Sequence, residues 1–336
     1  MKIGNVDLNE RVLVIAEIGN NHEGDFTLAE SMIAAAAAAG AGAVKFQTII
    51  PERLVSPADP ARINQLRKFQ FRLDQFEKLS AIANHHGVMF LSTPFDVASA
   101  RFLEPLVPAF KIASGDNNFF PLIETIARTG KPILLSTGLA DLAQIKNTQE
   151  FIESIWAEIG CTEHPLALLH CVTSYPTEPE AANLSAIHRL RELNPVVGYS
   201  DHTLGIEAAT LSVVMGARIV EKHFTLDKNQ SEFHDHKLSA DPEEFKQLVD
   251  RIALAQRLLG DGAAQVSACE VKNMRSARRS VVAVRDIAGG SVITLDDLTW
   301  VRPGGGLSPG EETLLLGRLL KRNKRAGDMI LLEDLG

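Results

Sequence analysis

Two lysines and a set of hydroxyls are the residues whose types and places first suggest chemistry. Lys45 and Lys111 each close a short apolar run, and Thr93, Ser114, Ser136 and Ser200 hold comparable places after other runs. Two ammonium groups with a ring of short donors suit a compact dianion such as a phosphate ester. A lysine at a strand end more often extends to water, but here the pattern occurs twice, beside four hydroxyls. His202 and His223 also end apolar runs. On adjacent strands, roughly 4.8 Å apart, two neutral imidazoles can share one divalent ion and leave positions open for water and substrate. A lone histidine is more often a hydrogen-bonded core residue. His234, Asp235 and His236 make a further polar cluster, which by itself is weak evidence of metal binding. Glu17 follows a fully apolar run and would stand at the dry base of a cleft, as a general acid/base, a binder of sugar hydroxyls, or an internal salt-bridge partner of Lys45. Residue type and position leave these three open.

The elements that must position these groups follow from hydrophobic patterning. Apolar runs at 12–18, 43–46, 88–91, 109–112, 132–135, 166–170, 196–199 and 218–222 predict eight strands. Helical patterns at 28–39, 73–86, 97–103, 121–128, 142–158, 184–193, 205–215 and 242–259 alternate with them. Eight strands each followed by a helix, over roughly 260 residues, predict a (β/α)8 barrel. An open doubly wound sheet is the alternative, but no GxGxxG follows the first strand. Polar residues stand at all eight strand ends: Glu17 with Asn20, Asn21 and His22; Lys45 with Gln47; Thr93; Lys111 with Ser114; Ser136 with Thr137; Thr173 with Tyr175; Ser200 with Asp201 and His202; and His223. Single residues of this kind are often caps or solvated turns. In a barrel, all eight ends converge on one mouth.

Composition bounds the rest. The 336 residues are 45% hydrophobic and 23% charged, enough for a large core, and the net charge of −8 argues against nucleic acid or an anionic membrane as partner. A small anion remains compatible, since a few lysines focused in a cleft outweigh a diffuse acidic surface. Three dispersed cysteines, Cys161, Cys171 and Cys269, predict free thiols and a reducing, cytoplasmic setting. The N-terminal apolar stretch is too short and interrupted for a signal peptide or membrane span. The βα rhythm stops near residue 261, which divides the chain into a catalytic barrel over 1–262, a polar connector over 263–278 and a small turn-rich domain over 279–336. The last carries an imperfect repeat, RDIAGGSVITLDDL from Arg285 and RAGDMILLEDL from Arg325, with RPGGG at 302–306 between the copies. A domain this small needs support from another surface.

The motifs AEIGNNHEGD (16–25), VKFQT (44–48), STPFD (92–96), FKIASGD (110–116), KPILLSTG (131–138), LHCVTSYPT (169–177), GYSDHT (198–203) and EKHFTLD (221–227), with the later RRSVVAVRDI and VRPGGGLSP, cover nearly the whole chain. Together they resemble the N-acetylneuraminate (sialic acid) synthase family, which includes synthases of legionaminic and pseudaminic acids. The resemblance implies a TIM barrel followed by a SAF domain, similar to type III antifreeze protein, and a domain-swapped homodimer. It implies a transferase joining phosphoenolpyruvate to an open-chain N-acetylated amino sugar. Lys45, Thr93, Lys111, Ser114, Ser136 and Ser200 would hold phosphoenolpyruvate, and His202 with His223 would hold Mn2+. Glu17, Gln47, Asp116, Tyr175 and Asp235 would face the sugar, with Arg302 contributed by the partner subunit. Three features depart from the family pattern: Asp116 where Glu is usual, Thr173 where Asn is frequent, and EFHDH in place of a GPDH loop. All three fall on the expected sugar side. The rivals are a synthase of the related 3-deoxy-sugar-phosphate group, which needs a second anion site, and a non-catalytic carbohydrate- or ice-binding protein.

Overall fold

The apolar runs fold as strands, and the amphipathic stretches between them as helices, in the computed structural model, which describes residues 1–336. A hairpin of β1 (Lys2–Ile3) and β2 (Val6–Asp7) precedes eight parallel strands. These are β3 (Leu13–Gly19), β4 (Ala43–Thr48), β5 (Met89–Pro94), β6 (Phe110–Ile112), β7 (Ile133–Ser136), β8 (Leu166–Cys171), β9 (Val197–Asp201) and β10 (Ile219–His223). They form one sheet in the order β5-β4-β3-β10-β9-β8-β7-β6, and β5 lies against β6 where the sheet curls round. The last strand pairs with the first, His223 opposite Glu17. That pairing makes a barrel and removes the open doubly wound sheet.

Period-2 alternation sorts each strand into two faces. Outward residues such as Val14, Ala16, Val44, Phe46, Phe90, Phe110, Leu135, Leu168, Tyr199 and Val220 pack against the helices. Inward residues Leu13, Ile15, Ala43, Leu91, Ala109, Leu134, Ala167, Leu169 and Ile219 fill the base, where Ile3, Val6 and Leu8 of the hairpin join them. The barrel is therefore dry and plugged at its N-terminal end, and its polar residues are confined to the other. Gly198 keeps the strands close: a Cβ there would lie 2.6 Å from the Ile219 carbonyl oxygen.

The helices that return the chain begin at aspartates. Asp25, Asp96, Asp141 and Asp241 each accept backbone N–H groups at the starts of Phe26–Ala38, Val97–Leu103, Leu142–Ile159 and Pro242–Leu259. Two helices between β4 and Leu73–His85 were not anticipated: Pro51–Leu54 and Pro60–Arg67. The segment is polar, with only Pro51, Ile63 and Leu66 of these helices buried, so it carries little periodicity. Its cue was local, an Asp59 cap followed by Pro60. No helix is long and apolar enough to cross a membrane.

Chain contacts divide the protein into two units, Met1–Gly260 and Asp261–Gly336. The second differs from a polar connector plus domain in one respect: Ala268–Ala277 is a helix with a capping box from Ser267 and Glu270, and none of its residues is buried. Without an apolar face, it gave the hydrophobic pattern nothing to register. Beyond it, β11 (Ser280–Ala283) pairs antiparallel with β12 (Leu298–Val301). Val281, Ala283, Ile287, Ile293, Leu298, Leu315, Leu320, Ile330 and Leu335 make a small core. The two repeats end in one-turn 3-10 helices, Leu295–Asp297 and Leu332–Asp334.

Candidate active site

Each barrel strand turns an inward residue into a cavity of about 310 Å3 at the C-terminal mouth, and β4 and β10 add Gln47 and His223 above a first layer of eight. The eight are Glu17, Lys45, Thr93, Lys111, Ser136, Cys171, Ser200 and Glu221, all buried. Six were expected from the sequence. Cys171, read from the sequence only as a free thiol, and Glu221 were missed, although Glu221 shares inward parity with Ile219 and His223 on the same strand; that alternation was the available signal. The neighbouring polar residues Thr137 and Asp201 have the opposite parity. Thr137 Oγ1 donates to the Leu169 carbonyl at 3.1 Å, and Asp201 pairs with Lys222 at 2.9 Å behind the strands.

The two lysines differ in their surroundings. Lys45 Nζ lies 2.7 Å from Glu17 Oε2 and 3.7 Å from Glu221 Oε2, and donates to Thr93 Oγ1 at 3.1 Å. Of the three roles open to Glu17, the salt bridge with Lys45 is formed, and Gln47 Nε2 donates to Oε1 at 3.2 Å. Lys111 Nζ has no carboxylate within salt-bridge reach; it donates to Ser136 Oγ at 2.7 Å and to the Ile112 carbonyl at 3.2 Å. Burial lowers its pKa, with distant Glu221 opposing. Burial pushes Glu17 up to about 7, against the pull of Lys45 and with Glu221 adding to the rise. Burial would also raise Glu221, but Lys111 and Lys45 more than offset it and hold it low. Two carboxylates around one ammonium are thus driven apart, one ionised and one able to hold a proton near neutrality.

His202 and His223 stand beside each other with ring centroids 5.4 Å apart, and the exposed Tyr175 ring lies 4.2 Å from His202. His202 Nδ1 faces the Val172 carbonyl at 2.8 Å, which leaves Nε2 as its free nitrogen. Burial works to lower the His202 pKa, but the Cys171 sulfur 3.9 Å away and the Val172 carbonyl raise it. Burial and then the His202 charge hold His223 well below the imidazole range, and its buried Nδ1 has no partner. Ser114 Oγ and Glu221 Oε2 are likewise buried without a hydrogen bond. Orphaned atoms of this kind at the mouth of a cavity fit a site built for a ligand. The imidazole pair fits a divalent ion with open positions; no group of three or more His, Cys, Asp or Glu residues is arranged as a metal site.

The sugar-side expectations fare unevenly. Gln47, Tyr175 and Asp235 line the cavity, with Thr173 and His234. Asp116 does not: the 3-10 turn Ser114–Asp116 presents Ser114 and Gly115 to the cavity and carries Asp116 past it. Burial raises its pKa to about 6, partly offset by Lys111. Arg302 belongs to the second unit, exposed on the loop whose Gly304 N–H donates to the Arg275 carbonyl at 2.7 Å. The unforeseen segment supplies further wall residues, Arg62, Gln65, Leu66 and Phe69, and the loop after β10 supplies Phe233.

Comparison with known proteins follows the same division. The NeuB family model matches residues 32–264 and the SAF domain model residues 278–336. The chain is 36% identical to N,N'-diacetyllegionaminic acid synthase of Campylobacter jejuni, over 96% of this chain and 99% of that one. It is 35% identical to pseudaminic acid synthase of the same species, over 99% of each. The crystal structure of N-acetylneuraminic acid (sialic acid) synthetase from Leptospira borgpetersenii, in complex with citrate, superposes with a TM-score of 0.76 at 35% identity, covering 81% of this chain and 94% of that one. This chain is therefore a member of the NeuB family that ends in a SAF domain.

Proposed function

We propose that the protein condenses phosphoenolpyruvate with an open-chain N-acetylated amino sugar, either N-acetylmannosamine or a 2,4-diacetamido-6-deoxyhexose, to give a sialic-acid-type 2-keto-3-deoxy acid and phosphate. The observation that carries it is Lys111, a buried ammonium without a carboxylate partner, ringed by Ser136 and the orphaned Ser114 hydroxyl and opposite Lys45 and Thr93. That cradle suits the phosphate and carboxylate of a small dianion or trianion. Family membership and relatives named as acid synthases support the same reading.

In the reaction, C3 of phosphoenolpyruvate attacks the aldehyde carbon, water captures the resulting cation at C2, and the tetrahedral intermediate expels phosphate by C–O cleavage. Lys45, Lys111 and the hydroxyls hold the phosphoenolpyruvate in place, and the dry barrel base excludes stray water from below. Glu17, with its pKa near 7, holds or releases a proton beside the forming bond. His202 and His223 are the proposed holders of a divalent ion, Mn2+ by family resemblance, which when bound would polarise an aldehyde oxygen. The same reading includes a homodimer in which Arg302 comes from the partner subunit, a point that rests on the resemblance alone. Phosphate release from phosphoenolpyruvate with a panel of amino sugars tests the proposal: release that needs an N-acetylated sugar is expected, and release with a phosphorylated aldose instead would favour the related 3-deoxy-sugar-phosphate synthases.

A further inference from the structure

The outward faces of the eight barrel strands carry apolar residues or neutral polar groups, with one exception. Asp201 on β9 and Lys222 on β10 are the only carboxylate and the only ammonium there, and both are buried. They stand opposite each other, as the last register pair that joins the two strands. Two charges buried behind a sheet gain little or nothing over apolar residues of similar size. Outward positions further back on the same strands hold such residues, Tyr199 and Val220. The pair therefore calls for a role other than stability.

Each partner is followed directly by one of the two cavity histidines, His202 after Asp201 and His223 after Lys222, which face the other side of the sheet. Lys222 Nζ lies 2.9 Å from Asp201 Oδ2 and donates to the Thr203 carbonyl at 2.5 Å. The second oxygen of Asp201, Oδ1, accepts the Thr203 N–H at 2.9 Å and the Thr203 hydroxyl at 2.8 Å. His202 thus lies between two residues that are tied to each other and to Lys222. Its own carbonyl accepts the Thr177 N–H at 2.8 Å, and its ring Nδ1 faces the Val172 carbonyl at 2.8 Å.

His223 has less support. Its ring Nδ1 is buried without a partner, and its carbonyl accepts the Ala240 N–H at 2.8 Å. The place of this ring relative to His202 is therefore set through the backbone, and the ion pair one residue back on each strand ties the two ends together. Groups behind metal ligands orient them, and their replacement commonly changes metal affinity by about 10- to 100-fold. We infer that Asp201, Lys222 and Thr203 are positioning residues that set the separation of the His202 and His223 rings, and with it the affinity for a divalent ion. This role rests on the reading of the two histidines as holders of that ion.

Mn2+ titration calorimetry of the full chain, beside chemical denaturation of the same samples, tests it with two variants. Lys222→Met strands the buried Asp201 carboxylate and should lower both stability and Mn2+ affinity, the latter by about tenfold or more. Asp201→Asn combined with Lys222→Met removes both charges. Its stability should return toward that of the wild type, while its Mn2+ affinity stays about tenfold or more below. A purely structural pair would make affinity follow stability. Mn2+ affinity that recovers together with stability in the double variant, or that equals the wild-type value in both variants, overturns the inference alone. Absence of Mn2+ binding by the wild type overturns the metal reading and this inference with it.

Discussion

Lys45 and Glu17 form a buried ion pair, Nζ to Oε2 at 2.7 Å, inside the cavity. Glu17 nevertheless has its pKa raised to about 7, because burial outweighs the attraction of Lys45, and Glu221 repels from the other side. Between about pH 4.5 and 7 the folded chain therefore binds more protons at Glu17 than the unfolded chain, so this residue's contribution to stability declines as pH rises through that window. Above it the loss is complete. Glu17→Gln lacks the titration. Chemical denaturation at about pH 5 and about pH 8 should show the variant gaining on the wild type at the higher pH. A stability difference that is the same at both would return Glu17 to an ordinary carboxylate pKa.

Lys111 has no comparable partner, and its charge remains available to substrate. Lys111→Ala should raise the KM for phosphoenolpyruvate by about 30-fold, the equivalent of about 2 kcal/mol for a charge-assisted contact. The KM for the sugar should move by no more than about twofold. Equal effects on both substrates, read from steady-state kinetics, would make the lysine structural.

On the proposed reaction, removal of divalent ions should abolish turnover, since His202 and His223, with ring centroids 5.4 Å apart and the buried His223 Nδ1 unpartnered, are the proposed holders of the ion that would polarise the aldehyde. Chelation followed by Mn2+ add-back checks this, and Mn2+ titration calorimetry should show His202→Ala and His223→Ala each losing most of the affinity. Full turnover by the chelated enzyme would sink the metal reading.

Much of the barrel was legible because its logic is local. Runs such as 43–46 and 166–170 have the length and flanking turns of strands, and each lies inside an observed strand, Ala43–Thr48 and Leu166–Cys171. Polar strand ends pointed to the mouth, but only parity separates Ser200, inside the cavity, from Asp201, which pairs with Lys222 behind the sheet. The same parity argument would have found Glu221. The mouth's outer wall was not legible. Phe69 and Phe233 are distant in sequence, and their meeting depends on Gly24 accepting the Lys68 backbone and on Glu23 holding His236, contacts that leave no periodic trace.

The internal repeat of the second unit predicts an order of stabilities. In each copy an aspartate at the end of a 3-10 turn reaches back to cap it: Asp297 accepts from Thr294 N–H at 2.9 Å, and Asp334 from Leu331 N–H at 2.8 Å. Each also binds a basic residue twelve positions earlier, Arg285 Nε at 3.0 Å and Arg322 Nε at 2.7 Å. The copies differ in their further partners: the Thr294 hydroxyl also donates to Asp297 at 2.7 Å, where the second copy has Leu331, and the cations differ. Asp334 is fully buried and also pairs with the mostly buried Lys324 at 2.6 Å, whereas Asp297 has only the exposed Arg285 as its cation. Removal of Asp334 strands a buried ammonium, which costs about 3 kcal/mol or more. Loss of Asp297 releases Arg285 to water and forfeits cap hydrogen bonds, about 1–2 kcal/mol. Denaturation followed by Trp300 fluorescence in a Trp156→Phe background isolates this unit, since these are the chain's two tryptophans. Asp334→Ala should unfold it at clearly lower denaturant than Asp297→Ala, and Asp334→Ala with Lys324→Met should recover part of the loss. Equal midpoints for the two single variants, or no recovery in the double, would show that the stranded charge is not what separates the copies.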